Sequence, residues 1–341
     1  MTDFKLLITD WYRQNKRDLP WRQTNDPFKI WLSEVILQQT RVDQGLPYYM
    51  KFTEQFKDVH ALAAADEQTV LNLWQGLGYY SRGRNLHQTA KFISVELKGQ
   101  FPLNSVELQK LKGIGPYTAA AIASFCYNES VPVIDGNVHR VLARVFDIDS
   151  PVNSKEGEKI IKDIALSLID MKDPATFNQA IMEFGALQCT PSKPDCTNCP
   201  LAGMCLSRNN KTIEQRPVKL KKNKIKHRFF HYAVIANDHK IVITKREEKD
   251  IWQHLYQFPL FESLNEDMPD EILPGFFVKD AHISNPASKH ILSHQHIHAH
   301  FHHFFLDEST LRLTENYRVI NLAELSDYPL PRLIDKYLDS I

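Results

Sequence analysis

The sequence predicts an all-α N-terminal region followed by a C-terminal α+β domain. In the first 206 residues, apolar side chains recur at helical spacing, and no alternation typical of strands interrupts them. Residues 207–228 form a basic stretch that contains Pro217 and is typical of a linker. From residue 229 the pattern changes to short strands, including an alternating run from His294 to Phe305. We therefore expect domains at 1–206 and 229–341, joined by a linker at 207–228.

Local signals place the individual elements. A first helix begins at the capping residue Thr2, and a second, strongly apolar helix begins at Asp26-Pro27, because proline fits the first helical turn. Further helices are predicted at 44–56, 67–75, 84–97, 137–146, 154–170 and 174–187. In the C-terminal region we expect a strand pair at 231–236 and 240–244 and a last helix at 331–340.

The charges are balanced overall but unevenly distributed. The chain has 41 basic and 41 acidic residues. Residues 1–206 hold 22 basic and 23 acidic groups, residues 207–228 hold 9 and 1, and residues 229–341 hold 10 and 17. Phosphate binding by the first region must therefore come from local groups and not from a general positive field. The basic stretch is either a solvated linker or a DNA contact.

Membrane insertion and secretion are not expected. The 341 residues contain no apolar run approaching the roughly 18 residues of a membrane-spanning helix. The start, Met1–Lys5, lacks the basic segment and apolar run of a signal peptide. These features predict a cytoplasmic protein, large enough for two or three domains.

The segment Leu111–Ala119 has the pattern of a helix-hairpin-helix motif. Ser105 can cap a short helix before it, and Pro116 fits the first turn of the helix that follows. Gly113 and Gly115 permit a tight turn, and the free N–H groups of the second helix form an anion site. The motif therefore predicts that this segment binds a nucleic-acid phosphate. The alternative is a simple tight turn between two helices.

Positive side chains beside this hairpin support the nucleic-acid interpretation. Lys110 and Lys112 lie in the turn, next to the two glycines. Asp135, eighteen residues beyond Tyr117, adds a carboxyl group at the start of another helix.

Four of the five cysteines have the spacing of a metal site. They read C-x6-C-x2-C-x5-C, and they are Cys189, Cys196, Cys199 and Cys205. A reducing cytoplasm disfavours disulfides, so zinc and an iron–sulfur cluster are the two candidates. The wide first gap differs from paired C-x2-C zinc modules and favours a 4Fe–4S cluster.

Taken together, these motifs resemble the helix-hairpin-helix DNA glycosylases that carry a 4Fe–4S cluster, and within them the MutY family of adenine DNA glycosylases. The matching segments are Leu19–Arg22, Ser33–Thr40, Gly76–Arg82, Leu111–Ala119, Ile134–Val138 and the four cysteines. In the tail, Gln257–Pro259 and Leu292–His294 resemble the family's Nudix-like recognition domain, although the family more often has phenylalanine at position 292. We find no intact Nudix catalytic box, so the tail is expected to recognise a base.

The resemblance implies an architecture and a substrate. It implies a six-helix module with the hairpin, and an iron–sulfur module built from the N-terminal helix and residues 135–206. The substrate is double-stranded DNA in which adenine is mispaired with 8-oxoguanine or guanine, and the adenine is flipped out before excision. It implies a monomer. The implied DNA-binding residues are Arg22, Gln39, Thr40, Tyr79, Lys112, Gly113, Gly115, Ser293 and His294.

The chemistry requires one protonated and one ionised carboxyl group, as in glycoside hydrolysis. Glu34 lies in an apolar helix, where burial raises a carboxyl pKa, so it is the expected acid. Asp135 lies at a helix start, where N–H groups favour the charged form, so it is expected to stabilise the sugar cation. Asn137 is expected to orient Asp135 and water, and Tyr117 to pack beside both.

Tyr117 separates this prediction from an alternative. Relatives resembling endonuclease III have lysine at this hairpin position and use its amine to form a Schiff base and nick the strand. Tyrosine cannot do so, which predicts a monofunctional glycosylase. A non-catalytic sensor of DNA lesions is a further alternative, and the presence of both Glu34 and Asp135 argues against it.

The histidines of the alternating run allow two interpretations. His294, His296, His298, His300 and His302 occupy every second position, and same-face spacing would permit zinc binding. We expect a solvated strand face instead, because only His294 has a role in the family.

Overall fold

The computed structural model describes residues 2–220, 225–265, 267, 270–273, 276–277, 282–283, 288–307 and 316–340. The chain divides into two compact units. The first comprises residues 1–64 and 88–221, and the second comprises residues 65–87 and 222–341. Residues 65–87 lie in the first region of the sequence-based division, whereas the structure groups them with the C-terminal part of the chain.

Helices account for the regular structure of the described residues before Lys226, as the sequence predicts. They are α1 (Thr2–Asn15), α2 (Pro27–Leu37), α3 (Val42–Gln55), α4 (Val59–Ala64), α5 (Glu67–Trp74), α6 (Ser81–Val95), α7 (Ser105–Leu108), α8 (Pro116–Tyr127), α9 (Gly136–Val145), α10 (Lys155–Leu168), α11 (Pro174–Leu187) and α12 (Leu206–Asn209), with 3-10 turns at Pro20–Arg22 and Ile213–Gln215. No helix in the described parts of the chain is long and apolar enough to cross a membrane.

Helix α2 is the central helix of the first unit. Asp26 caps it by accepting a hydrogen bond from the Phe28 amide, and Pro27 occupies its first position. Every residue from Ile30 to Ile36 is buried, and the helix packs against α3 and α8. Because α2 has almost no solvent-facing side, the carboxyl group of Glu34 is carried into the interior.

The hairpin forms between α7 and α8, with one difference from the sequence-based expectation. The cap of α7 is Asn104, whose side chain accepts a hydrogen bond from the Glu107 amide, and not Ser105. Ser105 instead donates its hydroxyl to the Glu129 carboxylate at 2.9 Å, and its amide donates to the same carboxylate at 2.7 Å. A carboxylate partner distant in sequence therefore determines the role of Ser105.

A second core in the first unit joins α1 to α9, α10 and α11. It includes Phe4, Ile8, Val141 and Phe184, all of which are nearly inaccessible to solvent. Trp11 packs edge-on against Phe184 with ring centroids 5.0 Å apart. The chain thus brings its first helix back onto helices that follow Asp135.

The second unit contains a mixed sheet and a small separate strand pair. The strands are β1 (Lys226–Ala236), β2 (Lys240–Lys245), β3 (Tyr256–Gln257), β4 (Leu260–Ser263), β5 (Glu271–Leu273), β6 (Phe276–Phe277), β7 (His282–Ile283), β8 (Ser288–Ile291), β9 (Gln295–Phe305) and β10 (Tyr317–Asn321), followed by a 3-10 turn at Leu322–Asp327 and helix α13 (Arg332–Leu338). The main path runs β10-β2-β1-β9-β7, with β3 on β2, β4 on β1 and β8 on β9. The predicted α+β class is confirmed.

Strands β1 and β9 pair in parallel over eleven residues, which makes them the centre of the sheet. The odd positions of β9 from Gln295 to Phe301 are buried, as the alternation predicts. The alternation ends there, because Phe304 is buried and Phe305 is exposed. The prediction of a solvated histidine face is wrong towards the C-terminal end of β9. There His302 of β9 and His231 of β1 are 0% exposed.

Residues 65–87 are held to the C-terminal part of their unit by polar contacts. Gln68 and Asn72 of α5 both donate to the Asp327 carbonyl at 2.7 Å. Gln75 donates to the Asp335 carboxylate at 2.8 Å, and Arg84 donates to the Gln253 carbonyl at 2.6 Å. Several independent hydrogen bonds therefore order α5 and the start of α6.

A buried ion pair fixes the 3-10 turn of the first unit. The Glu183 carboxylate of α11 is 1% exposed and accepts two hydrogen bonds from Arg22 and two from the Arg17 guanidinium. Burial alone would raise the pKa of Glu183, but the hydrogen bonds from Arg22 and Arg17 outweigh it and lower that pKa to about 2.

Replacing Glu183 by glutamine should therefore destabilise the protein by about 3–5 kcal/mol at pH 7, because two guanidinium groups lose their buried partner. A lowered pKa contributes stability above the unfolded-state pKa, so the penalty should shrink as the pH falls from about 4.5 towards 2. Urea unfolding of both proteins at pH 7 and pH 3 measures the difference.

The matched control is Asp10→Asn, which breaks the exposed Arg13–Asp10 pair and should change stability by less than about 0.5 kcal/mol. An equally small effect of Glu183→Gln at pH 7 would contradict the structural role of the buried pair.

Candidate active site and iron–sulfur site

One cavity in the first unit contains both predicted catalytic carboxyl groups. Its volume is about 460 Å³, enough for a purine base with part of its sugar. The lining residues are Glu34, Leu37, Gln38, Gln39, Gly115, Pro116, Tyr117, Thr118, Asp135 and Gly136. The end of α2, the start of α8 and the start of α9 thus meet at a single pocket, although their residues lie about a hundred positions apart.

The pKa of Glu34 is raised, as expected of a catalytic acid. It is 9% exposed, and burial raises its pKa from 4.5 to about 7, while a hydrogen bond with Tyr117 opposes the rise. The negative charge of Asp135 adds to the rise, and the positive charge of Arg22 opposes it. At neutral pH a substantial fraction of Glu34 is therefore protonated and able to donate a proton.

Asp135 is the N-cap of α9, as the sequence predicts. Its Oδ1 accepts hydrogen bonds from the amides of Asn137 at 2.9 Å and Val138 at 2.8 Å, and its Oδ2 accepts one from Asn137 Nδ2 at 2.6 Å. The direction of its pKa shift differs from the expectation. Burial raises the pKa, and the three hydrogen bonds oppose this without reversing it. Depth in the cavity, which the sequence does not show, is the dominant influence.

Tyr117 lies against both carboxyl groups, whose charges help burial raise its pKa well above 10. Its hydroxyl donates to Met182 Sδ at 3.6 Å and also interacts with Glu34. The phenol is therefore neutral at any physiological pH. Among the described residues that line the cavity there is no lysine.

Asn137 belongs to a chain of hydrogen bonds that sequence reasoning missed. Arg140 is 8% exposed, and its Nη2 donates to Asn137 Oδ1 at 2.8 Å and to the Gly185 carbonyl at 2.6 Å. Its Nε donates to the Cys189 carbonyl at 2.7 Å. The spacing of Asn137 and Arg140, three residues apart on one helix, is the sequence signal that could have found this pair. Asp135 and the cysteine loop are thereby attached to the same buried arginine.

The hairpin presents free backbone donors next to the cavity. Gly113 has φ +78°, a conformation that favours glycine. Gly115 is the N-cap of α8 and makes no side-chain cap, so the first amides of that helix remain available to a phosphate. Lys112 donates to the Gln88 side chain at 2.6 Å, and Lys110 pairs with the exposed Glu107. Exposed pairs of this kind are weak and can open towards a phosphate.

Two glycines leave space at the pocket wall. Gly115 and Gly136 both have φ outside the left-handed region, and a Cβ atom at either position would meet no protein atom within 4 Å. Neither the backbone conformation nor protein packing therefore requires glycine there. The open space beside both residues leaves room for a ligand to approach the backbone closely.

The remaining predicted DNA-binding residues divide between the two units. In the first unit, Gln39 is exposed on the cavity rim with φ +55°, and the Thr40 hydroxyl donates to the Gln38 carbonyl at 3.3 Å. Strained backbone of this kind is common at functional sites. Arg22 is only 14% exposed and is committed to Glu183, so its DNA contact remains a prediction.

In the second unit, Tyr79, Ser293 and His294 lie together. Tyr79 is 46% exposed with φ +46°, and its hydroxyl donates to Ser293 Oγ at 3.3 Å. Ser293 Oγ is 3.4 Å from His294 Nδ1. Tyr79 and His294 also line a mainly apolar cavity of about 250 Å³ that Trp252 helps to form. The structure thus brings together residues more than two hundred positions apart.

The four cysteines line one apolar cavity between α9, α11 and the loop that follows. Arg144 Nη1 is 3.5 Å from Cys189 Sγ and donates to the Thr190 carbonyl at 2.7 Å, which places a buried positive charge beside the sulfur atoms. In the described part of the chain no three His, Cys, Asp or Glu groups converge as closely as a single metal ion requires. A cubane cluster has its four thiolate ligands further apart and carries net negative charge, so the lining fits that group.

Family models match three parts of the chain. Residues 32–165 match the HhH-GPD superfamily of base excision DNA repair proteins, residues 189–205 match the iron-sulfur binding domain of endonuclease III, and residues 230–340 match the NUDIX domain. The four cysteines are therefore the ligands of a 4Fe–4S cluster, and the Nudix-like prediction for the tail is confirmed.

Solved structures share the helical fold. The structure of a thermostable thymine-DNA glycosylase is 26% identical with a TM-score of 0.57, and it covers 61% of this chain and 95% of its own. A non-covalent endonuclease III–DNA complex is 19% identical with a TM-score of 0.52, and it covers 60% and 93%. The fold, the carboxyl pair and the cluster site define a DNA glycosylase of base excision repair.

Curated relatives identify the family. An adenine DNA glycosylase of Buchnera aphidicola subsp. Acyrthosiphon pisum (strain APS) is 32% identical over 99% of this chain and 97% of its own length. The human adenine DNA glycosylase is 41% identical over 63% of this chain and 41% of its own length. The chain belongs to the adenine DNA glycosylase family, also called MutY, as its motifs predict.

Burial of Glu34 has a consequence for stability that can be measured. A native pKa of about 7, above the ordinary 4.5, means that the folded state binds more protons than the unfolded state in between. Stability should therefore fall as the pH rises through this range. Glu34→Gln should stabilise the protein by up to about 3 kcal/mol at pH 8 and have little effect near pH 4.5.

Thermal unfolding of both proteins between pH 4.5 and 8 measures this dependence. Glu54→Gln removes an exposed carboxyl and separates the effect of burial from that of net charge. Equal destabilisation by Glu34→Gln at every pH would show that the buried carboxyl has no raised pKa.

Proposed function

We propose that this enzyme excises adenine opposite 8-oxoguanine or guanine in double-stranded DNA, as a monofunctional glycosylase that hydrolyses the N-glycosidic bond. The proposal rests on one observation. A single cavity of the size of a base contains two carboxyl groups, Glu34 and Asp135, in different surroundings. The names of the relatives support adenine as the excised base.

The first step is extrusion of the adenine into the cavity. Unstacking and unpairing a base cost about a few kcal/mol, which contacts with the opened duplex must offset. Gln39 and Tyr79 are the proposed wedge residues, because both are exposed and both have a strained, positive φ. The amides at the start of α8, with Lys112, hold a phosphate of the same strand.

The second step is cleavage of the bond between the sugar and the base. Protonated Glu34 donates a proton to the purine ring, so that adenine departs as a neutral base and leaves a positive charge on the sugar. Ionised Asp135 stabilises that cation, either electrostatically or through a covalent intermediate. Water then adds its hydroxide to the sugar, and its proton passes to a carboxylate. Asn137 holds Asp135 and the water in place.

Strand cleavage is not part of the proposed reaction. A Schiff base requires an uncharged amine beside the sugar, and the hairpin position is occupied by Tyr117 with a neutral, hydrogen-bonded phenol. The absence of lysine from the described lining of the cavity supports the same conclusion.

Recognition of the base opposite adenine is assigned to the second unit. 8-Oxoguanine differs from guanine by a carbonyl oxygen and a ring N–H, which a hydroxyl and an imidazole can read. Ser293 and His294 offer these groups next to Tyr79. We assign the whole-protein organisation as a catalytic region at 1–206, a basic linker at 207–228 and a recognition domain at 229–341. A monomer in the cytoplasm or on the nucleoid completes the proposal.

The catalytic assignment predicts large losses from isosteric changes. Glu34→Gln should keep DNA binding and reduce single-turnover adenine release by at least about 10²-fold, because the amide has no proton of suitable acidity. Asp135→Asn should be comparably damaging, since asparagine can still cap α9 but cannot stabilise the cation. Glu54→Gln is the control, and near-normal release by Glu34→Gln would exclude Glu34 as the acid.

The recognition assignment predicts a loss of preference without a loss of chemistry. Ser293→Ala combined with His294→Ala should reduce the advantage of the 8-oxoguanine mispair by about tenfold, since each hydrogen bond contributes roughly 1 kcal/mol. Release from an adenine–guanine mispair should stay nearly constant. His239→Ala removes an exposed histidine of the same unit and serves as the control.

These substitutions are a sharper test than truncation near residue 225. Truncation would also remove the hydrogen-bond partners of Gln68, Asn72 and Gln75, and thus loosen the segment that carries Tyr79. If the double variant kept its full preference, recognition would lie outside Ser293 and His294.

A further inference from the structure

One face of the central strands in the second unit carries a row of imidazoles that the proposed reaction does not use. The parallel register pairs His227 with His296 and His231 with His300. The histidines that share this face are His227, His231, His296, His298, His300 and His302. The opposite face of β9 is the apolar core.

The histidines of this row differ in their exposure to solvent. We call the end near the starts of β1 and β9 the outer end, and the end further along both strands the inner end. His231 and His302 are 0% exposed at the inner end, and His231 donates to or accepts from Ser263 at 3.2 Å. At the outer end His227 is exposed, and His296 and His298 are half-buried. An ion from solution can therefore reach these three residues.

We propose that His227, His296 and His298 bind a divalent transition-metal ion of the zinc class, which links β1 to β9. His296 and His298 are two residues apart on β9, and His227 lies beside them on β1. The His227 ring centroid is 5.2 Å from that of His296 and 5.3 Å from that of His298. Two residues from one strand and one from its neighbour can supply three ligands to one ion, with water completing the four-coordinate geometry of zinc.

The distances between nitrogen atoms support this site. His227 Nδ1 and His298 Nε2 are 3.0 Å apart and share a proton. Two imidazole nitrogens on one tetrahedral zinc ion are about 3.4 Å apart, because each bond is about 2.0–2.1 Å long. An ion can thus replace the shared proton after a small separation of the rings. The displaced proton moves to the other ring nitrogen of the histidine that donated it, so that both rings stay neutral.

His296 completes the site by rotation. In the described part of the chain no three such groups already converge on one point. The Nδ1 of His296 is buried without a hydrogen-bond partner among the described residues, so turning this ring towards His227 breaks no hydrogen bond of that atom. Coordination would satisfy a polar atom that is otherwise expensive to bury.

The surrounding charges select the kind of ion. The register places Lys289 of β8 beside His298, and its exposed ammonium can turn away into solvent. No carboxylate lies on this face among the residues paired by β1, β4, β8 and β9. Neutral imidazoles alone favour zinc, nickel or copper and disfavour magnesium and calcium.

The test uses the intact, cluster-loaded protein dialysed against buffered zinc, with zinc and iron then measured in each chain. We expect about one zinc in addition to about four irons. The variant His227→Gln combined with His298→Gln should lose the zinc and keep the iron, and the control His239→Gln should keep both. Absence of zinc from the wild type, or its retention in the double variant, would overturn the proposal. So would iron loss equal to the zinc gained, which would mean that zinc had entered the cysteine site.

Thermal unfolding provides a second measurement in case the double variant folds poorly. A ligand that binds only the folded state raises the unfolding temperature, so zinc should raise it in the wild type. The single variant His296→Gln, which keeps the His227–His298 pair, should show a smaller rise. A rise of the same size in that variant would exclude His296 as a ligand.

Discussion

Burial of the Glu34 carboxyl is the constraint on which the active site depends. A carboxyl group in water is ionised at neutral pH and cannot protonate a purine. Helix α2 is buried on nearly all sides, and this burial, with a smaller contribution from the charge of Asp135, raises the pKa of Glu34 to about 7. The apolar residues of α2 therefore contribute to chemistry as well as to the core. The same burial destabilises the ionised form of Glu34 and therefore lowers the stability of the folded protein as the pH rises.

Helix α9 limits the rise in pKa of the second carboxyl group, Asp135. The cavity raises the pKa of this carboxyl too, and the cap hydrogen bonds from Asn137 and Val138 limit the rise. Arg140 then connects Asn137 to the carbonyl of the cluster ligand Cys189. Gly185 makes this close packing possible, because a Cβ atom there would lie 2.7 Å from the Cβ of Asn137. The carboxylate and the cysteine loop are thus positioned by one buried helix.

Features encoded locally could be predicted from the sequence. The structure has several features that depend on residues close together in the chain. They are the cysteine spacing, the cap at Asp135, the hairpin glycines and the alternation of β9 from Gln295 to Phe301. Features that depend on tertiary contacts could not be predicted. The partner of Ser105 is Glu129, burial reverses the expected pKa direction of Asp135, and the histidines His231 and His302 are buried. The association of residues 65–87 with the C-terminal part also has no local signature.

In the proposed reaction, a buried, protonated Glu34 provides the proton for base release. The most direct measurement is the single-turnover rate of adenine release by the wild-type enzyme as a function of pH, with DNA saturating. We expect a rate that falls about tenfold per pH unit above a midpoint near 7, where Glu34 loses its proton. A rate that stays constant from about pH 6 to 9 would contradict it, because the proton would then come from a group other than this carboxyl.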